Sequence, residues 1–102
     1  MFNDLNMNPL SQVKPEELQR LRTRLLRPYK VLLHDDDYNE MNYVIFALLH
    51  AVNFLTTQEA ARIMLTAHLA GKAVVTVCPK EAAEYYQERL ISYNLTATIE
   101  PE

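Results

Sequence analysis

The sequence predicts an α+β fold, a three-stranded antiparallel sheet covered on one face by three helices. Three observations carry that prediction. Segments 29–34, 72–78 and 95–99 have the β-branched or alternating character of strands. The longer segments between them repeat apolar residues at helical spacing. Three short strands also cannot enclose a core alone, so the helices must cover one face of their sheet. The element order is β-α-α-β-α-β, without internal repeat or low-complexity tract.

Residues 1–13 show no sustained periodicity and read as a flexible arm. In residues 15–27, Leu18, Leu21 and Leu25 fall at i, i+3, i+7, and Pro15 suits a first helical turn. Glu16 and Glu17 early and Arg24 and Arg27 late agree with the helix dipole, so a short helix is expected before Pro28. The chain then divides into a flexible N-terminal extension, 1–27, and a core domain, 28–102.

Tyr29-Lys30-Val31-Leu32-Leu33-His34 reads as the first strand, and Asp35-Asp36-Asp37 as the turn that ends it. Asn39 is the expected cap of a helix over about 40–53, whose one face carries Met41, Val44, Ile45, Leu48 and Val52. Thr56 and Glu59 have the spacing of a capping box. The helix they open carries Ala60, Ile63, Met64, Ala67 and Leu69, and Gly71 stands where a left-handed residue ends a helix. Lys72–Cys78 is the second strand. Pro79 starts a helix with Ala83, Tyr86, Leu90 and Tyr93 on one stripe, and Asn94 ends it before Leu95–Ile99 closes the chain as a strand.

Composition narrows the function. A chain of 102 residues, 49% apolar and 23% charged, is one globular domain. Residues 1–30 carry six cationic and three acidic side chains, and residues 31–102 carry four and ten, so a basic arm precedes an acidic body. Phosphate binding needs clustered positive charge, so nucleic acid is not the expected partner; a cationic ligand is. No apolar run is long enough to span a bilayer. The single Cys78 forms no internal disulfide and reads as a small hydrophobe, which points to a reducing, cytoplasmic setting.

Two stretches carry the chemistry, His34–Met41 and Met64–His68. Together they offer carboxylates, an imidazole and soft apolar groups, which suit an amine attached to a hydrophobic side chain. A free protein N-terminus is such a ligand. An α-ammonium presents three donors, and two carboxylates with a neutral imidazole nitrogen are matching acceptors. Met41 and Met64 suit a pocket that takes several apolar shapes. The plainer alternatives stay open. The aspartates can be a solvated turn capping the next helix, His68 a surface histidine four residues from Met64, and the methionines core filler. His34 and His50 read as strand end and helix surface. The chain has metal-ligand types in its aspartates and histidines, but no EF-hand loop, HExxH, P-loop or nucleophile elbow. Neither an enzyme nor a cofactor is expected.

Tyr29-Lys30-Val31, Asp36-Asp37-Tyr38, Met41, Met64 with His68, and Gly71-Lys72-Ala73 resemble the ClpS family over residues 28–100. That family comprises non-enzymatic adaptors of the Clp protease. The resemblance implies binding of substrates through an N-terminal Leu, Phe, Tyr or Trp, and docking on the N-terminal domain of a ClpA or ClpC unfoldase as a monomer. It implies an α-amino clamp of Asp35, Asp36 and His68, a peptide-backbone contact from Asn39, and a side-chain pocket of Met41, Val44 or Ile45, Met64, Ala67 and Leu95. Asp35 stands where the family usually has Asn, Asn39-Glu40 where it has Thr-Pro, and Ala67 where Val is frequent. Such divergence is similar to a second ClpS-like copy in cyanobacteria. The alternatives are a Clp regulator without N-degron binding and, last, a small metal-binding enzyme.

Overall fold

The computed structural model describes residues 12–102, so residues 1–11 of the expected flexible extension lie outside the described residues. The first element is helix α1 (Pro15–Leu25). Pro15 takes a first-turn position, where its missing N–H is no loss. Glu16 and Glu17 in the first turn and Arg22 and Arg24 in the last complement the dipole. None of its residues is buried, so local propensity and end charges alone support it.

The sheet consists of β1 (Pro28–His34), β2 (Lys72–Pro79) and β3 (Thr96–Pro101) in the order β2-β1-β3, all antiparallel. β1 is central, which explains its run of three buried residues, Val31, Leu32 and Leu33. Val31 stands opposite Thr76 but Leu32 opposite Val74, so Val75 is the extra residue of a β-bulge. The bulge lets both Val75 and Cys78 turn to the core despite their odd spacing. Burial pushes the Cys78 thiol above its usual pKa, in keeping with a small hydrophobe.

Three helices close the core, as the sequence predicts: α2 (Met41–Ala51), α3 (Thr57–Ala70) and α4 (Lys80–Ser92). Ala47, Leu48, Ala51 and Val52 from α2 and its end meet Ala60, Ile63 and Ala67 of α3 and Ala83 and Leu90 of α4 over Val31, Leu33, Ala73, Val75 and Ala97. The small residues let the helices approach closely, and the branched ones fill the space between. Arg89 joins two helices: its Nε donates to the Ala51 carbonyl at 2.8 Å and its Nη2 to the His50 carbonyl at 2.7 Å. It thereby satisfies orphan carbonyls at the end of α2.

The capping box of α3 is present in both directions, with Glu59 N–H donating to Thr56 Oγ1 and Thr56 N–H to Glu59 Oε1. Gly71 ends α3 with φ +92°, a conformation that L side chains rarely adopt. Asn94 ends the α4 turn in the left-handed region at φ +68°.

Four local expectations fail. Glu40, not Asn39, is the residue that caps α2, and it makes no side-chain capping bond; Asn39 lies one residue before the cap, with its Nδ2 bonded to Asp36 and the Asn94 carbonyl. The helix ends at Ala51, since Val52 has left helical geometry, although Val52 is still fully buried. Leu69 is not on the buried stripe of α3 but 76% exposed, because it lies two positions beyond Ala67 and so points away. The last strand also begins one residue later than expected, which leaves Leu95 in the turn before it.

Candidate functional site

β1 ends at His34, and the acidic turn that follows runs along the end of α3. One backbone bond fixes this approach, Asp35 N–H to the Gly71 carbonyl at 2.9 Å. Gly71 can offer that carbonyl because it sits in the left-handed turn that ends α3. The result is a cleft of about 300 Å³ between the acidic turn, the start of α2, the last turns of α3 and the turn before β3.

One wall of the cleft is polar. Asp35, Asp36, Asp37 and Glu40 supply four carboxylates, with His34 and His68 beside them and no Lys or Arg. The floor and far wall are apolar, from Leu33, Met41, Val44, Met64, Ala67 and Leu95. His68 Nδ1 lies 3.6 Å from Asp35 Oδ1, beyond hydrogen-bond length, with both side chains partly open to water. A small cation entering there meets a carboxylate on one side and an imidazole on the other. Four uncompensated carboxylates favour such a cation at the mouth.

Asp36 is differently placed. Its Oδ1 accepts from the backbone N–H groups of Tyr38 at 2.9 Å and Asn39 at 2.8 Å, and its Oδ2 accepts from Asn39 Nδ2 at 3.1 Å. Partial burial alone would push its carboxyl up, but these bonds outweigh burial and hold it below the usual aspartate value. An ionised Asp36 therefore organises its own turn while keeping acceptor capacity for a further donor.

The structure brings nine of the ten residues expected at the site into this cleft: Asp35, Asp36, Asn39, Met41, Val44, Met64, Ala67, His68 and Leu95. Ile45 is not among them; it packs against the core one step round the helix from Val44. A family model described as "ATP-dependent Clp protease adaptor protein ClpS" matches residues 25–98. The chain belongs to the ClpS family. It is similar to the ClpS adapter of Gloeobacter violaceus, 51% identical over 74 residues, which are 72% of this chain and 80% of that one. The ClpS adapter of Synechococcus elongatus is 43% identical over 90 residues, covering 87% of this chain and 92% of its own. Among solved structures, Agrobacterium tumefaciens ClpS2 bound to L-phenylalaninamide superposes with a TM-score of 0.70 at 33% identity, covering 74% of this chain and 98% of that one.

Four further residues line this cleft: Leu33, His34, Asp37 and Glu40; the last three lie in the stretch that the sequence singles out, and Leu33 lies outside it. Asp37 is readable as the neighbour of Asp36. His34 reads from the sequence as a strand end, and the sheet completes its placement: its Nε2 lies 2.7 Å from Thr98 Oγ1 on β3, a bond between residues far apart in sequence. Among the described residues, no group of three or more His, Cys, Asp or Glu side chains is arranged to hold a metal. Nor is any described helix long and apolar enough to cross a membrane.

Proposed function

We propose that the protein is a non-enzymatic adaptor that binds substrate proteins through a free N-terminal Leu, Phe, Tyr or Trp and passes them to a ClpA- or ClpC-type AAA+ unfoldase. The observation that carries this reading is the two-sided cleft. An edge of four carboxylates with His68 lies against an apolar pocket of Val44, Met64, Ala67 and Leu95. A charged amine and a large apolar side chain on one carbon satisfy both sides at once. The similar Agrobacterium ClpS2 was solved with L-phenylalaninamide, which has a free amine, an aromatic side chain and an amide in place of a carboxylate. Chemically that is the first residue of a protein.

In this reading Asp35, Asp36 and His68 hold the α-amino group, Asn39 serves the peptide backbone, and Met41 narrows the entrance. A cleft of about 300 Å³ holds one large side chain rather than a folded segment. Helix α1 and the basic residues before β1 form the arm that engages the unfoldase, while the core holds the substrate. The adaptor works as a monomer, without cofactor.

The test is fluorescence anisotropy with labelled peptides beginning in Leu, Phe, Tyr, Trp, Ile and Ala. Saturable binding of the large apolar set, and none of Ala, is the expected result. Equal or absent binding throughout refutes substrate recognition and leaves a Clp regulator that docks without carrying an N-degron.

A further inference from the structure

The geometry points to Asn39 as a positioning residue, a staple whose one amide fixes both the acidic edge of the cleft and the turn that carries its wall residue Leu95. The inference rests on the adaptor reading and deepens it, since it concerns how that same cleft holds its shape before a ligand arrives.

The Asn39 Nδ2 group donates to Asp36 Oδ2 at 3.1 Å and to the Asn94 carbonyl at 3.0 Å. Both partners are acceptors only, which fixes the amide orientation, because the carbonyl end of the amide could donate to neither. Both amide hydrogens are therefore spent inside the protein. Only Oδ1 is left to face a bound peptide, which restricts the peptide groups Asn39 can serve to donors such as a backbone N–H.

The two bonds join elements that are remote in sequence. Asp36 and Asn39 lie in the turn between β1 and α2, and Asn94 lies 55 positions beyond Asn39. Asn94 holds a left-handed conformation, which leaves its carbonyl turned out of the end of α4. The next residue, Leu95, is 4% exposed and lines the cleft. A second side chain from the same side secures this turn: Tyr43 Oη donates to the Tyr93 carbonyl at 2.6 Å. Tyr43 makes no hydrogen bond to Asp36 and does not itself line the cleft. Among the side-chain hydrogen bonds of the described residues, those of Asn39 tie the acidic edge to the turn that carries Leu95, so Asn39 sets the distance between the amine subsite and the side-chain subsite.

Shape decides which side chains can do this. Threonine has a hydroxyl donor close to its backbone, which can serve Asp36 but is too short to serve Asn94 as well. Alanine serves neither. The two variants therefore separate the two arms of the staple.

The experiment compares wild type, Asn39→Ala and Asn39→Thr in two measurements. In the ligand-free protein, NMR follows the pH titration of the Asp36 carboxyl carbon and the hydrogen exchange of the Asn94 and Leu95 amides. In the bound state, anisotropy gives the ratio of affinities for a Phe-initiated peptide and its N-acetylated counterpart. With Asn39→Ala, Asp36 should titrate at higher pH, both amides should exchange faster, and the ratio should fall about fivefold, the size of one ordinary hydrogen bond. Asn39→Thr should restore the Asp36 titration and hold the ratio within about twofold of wild type, while the amides stay fast. A general loss of stability would weaken both peptides alike and leave the ratio alone. An unchanged Asp36 titration and unchanged exchange in Asn39→Ala overturn the staple. Absence of peptide binding by wild type overturns the adaptor reading instead, and the NMR arm distinguishes the two failures.

Discussion

Acetylating the substrate's N-terminus tests the amine clamp without touching the protein. The modification removes the positive charge and two of the three donors while leaving the apolar side chain intact. Asp35 and His68, 3.6 Å apart, are the groups that lose most. A buried hydrogen bond to a charged group is worth about 1.5–3 kcal/mol. The Asp35 side chain is 35% exposed and that of His68 47%, so water screens both, and the smaller yield of exposed pairs, about 0.2–1 kcal/mol each, is the better guide. Asp36 contributes a further acceptor, already shared with three donors of its own turn. The whole clamp then amounts to about 2 kcal/mol, or about thirtyfold in Kd, with about tenfold as the least loss consistent with it. The assay is anisotropy at low and high salt, because an electrostatic clamp also weakens as ions screen it. Affinities for free and acetylated peptides that agree within about twofold would refute the reasoning and return the acidic turn to a merely structural role.

Met41 is 44% exposed at the start of α2 and beside the cleft, so Met41→Ala should admit Ile- and Val-initiated peptides; it should also weaken Leu peptides by about 1–2 kcal/mol, and an unmoved Leu-to-Ile affinity ratio would mark it as filler. Deleting residues 1–20 should leave peptide affinity unchanged while degradation by the cognate Clp protease slows; loss of both would make the arm part of the fold, against the absence of any buried residue in α1. Asp36 should lend stability at neutral pH that disappears only as pH falls through its depressed pKa, below the ordinary range near about 4; acid titration of thermal stability in wild type and Asp36→Asn should differ above that range and converge below it.

The sheet and its helical cover were legible because their signals are local. The β-branched run before Cys78, the Leu48 stripe and the Thr56–Glu59 box each announce an element within a few residues. Most of the candidate site was legible too, since its residues lie in two compact stretches. What escaped depends on contacts across the fold. Asn39 looked like a helix cap because Asn favours that position, but the helix starts one residue later, and the Asn39 side chain is oriented by Asp36 three residues back and Asn94 across the fold. Ile45 and Val44 are adjacent on a helix with apolar neighbours all round, and only the placement of α3 decides which of them reaches the cleft. The bulge at Val75 likewise cannot be read from β2 alone, because register is a property of two strands.

The bond from Asp35 N–H to the Gly71 carbonyl joins the two halves of the cleft through backbone atoms only. No side chain at 35 or 68 takes part in it. Those positions are thus free to drift without dissolving the frame that presents them, provided position 71 remains glycine, with its φ of +92°. A duplicated copy of such a protein can change its ligand preference by single substitutions while folding as before. The asymmetry is open to deep mutational scanning: tolerance should be broad at Asp35 and His68, both partly open to water, when foldedness is selected, narrow there when degradation of one substrate is selected, and narrow at Gly71 under both.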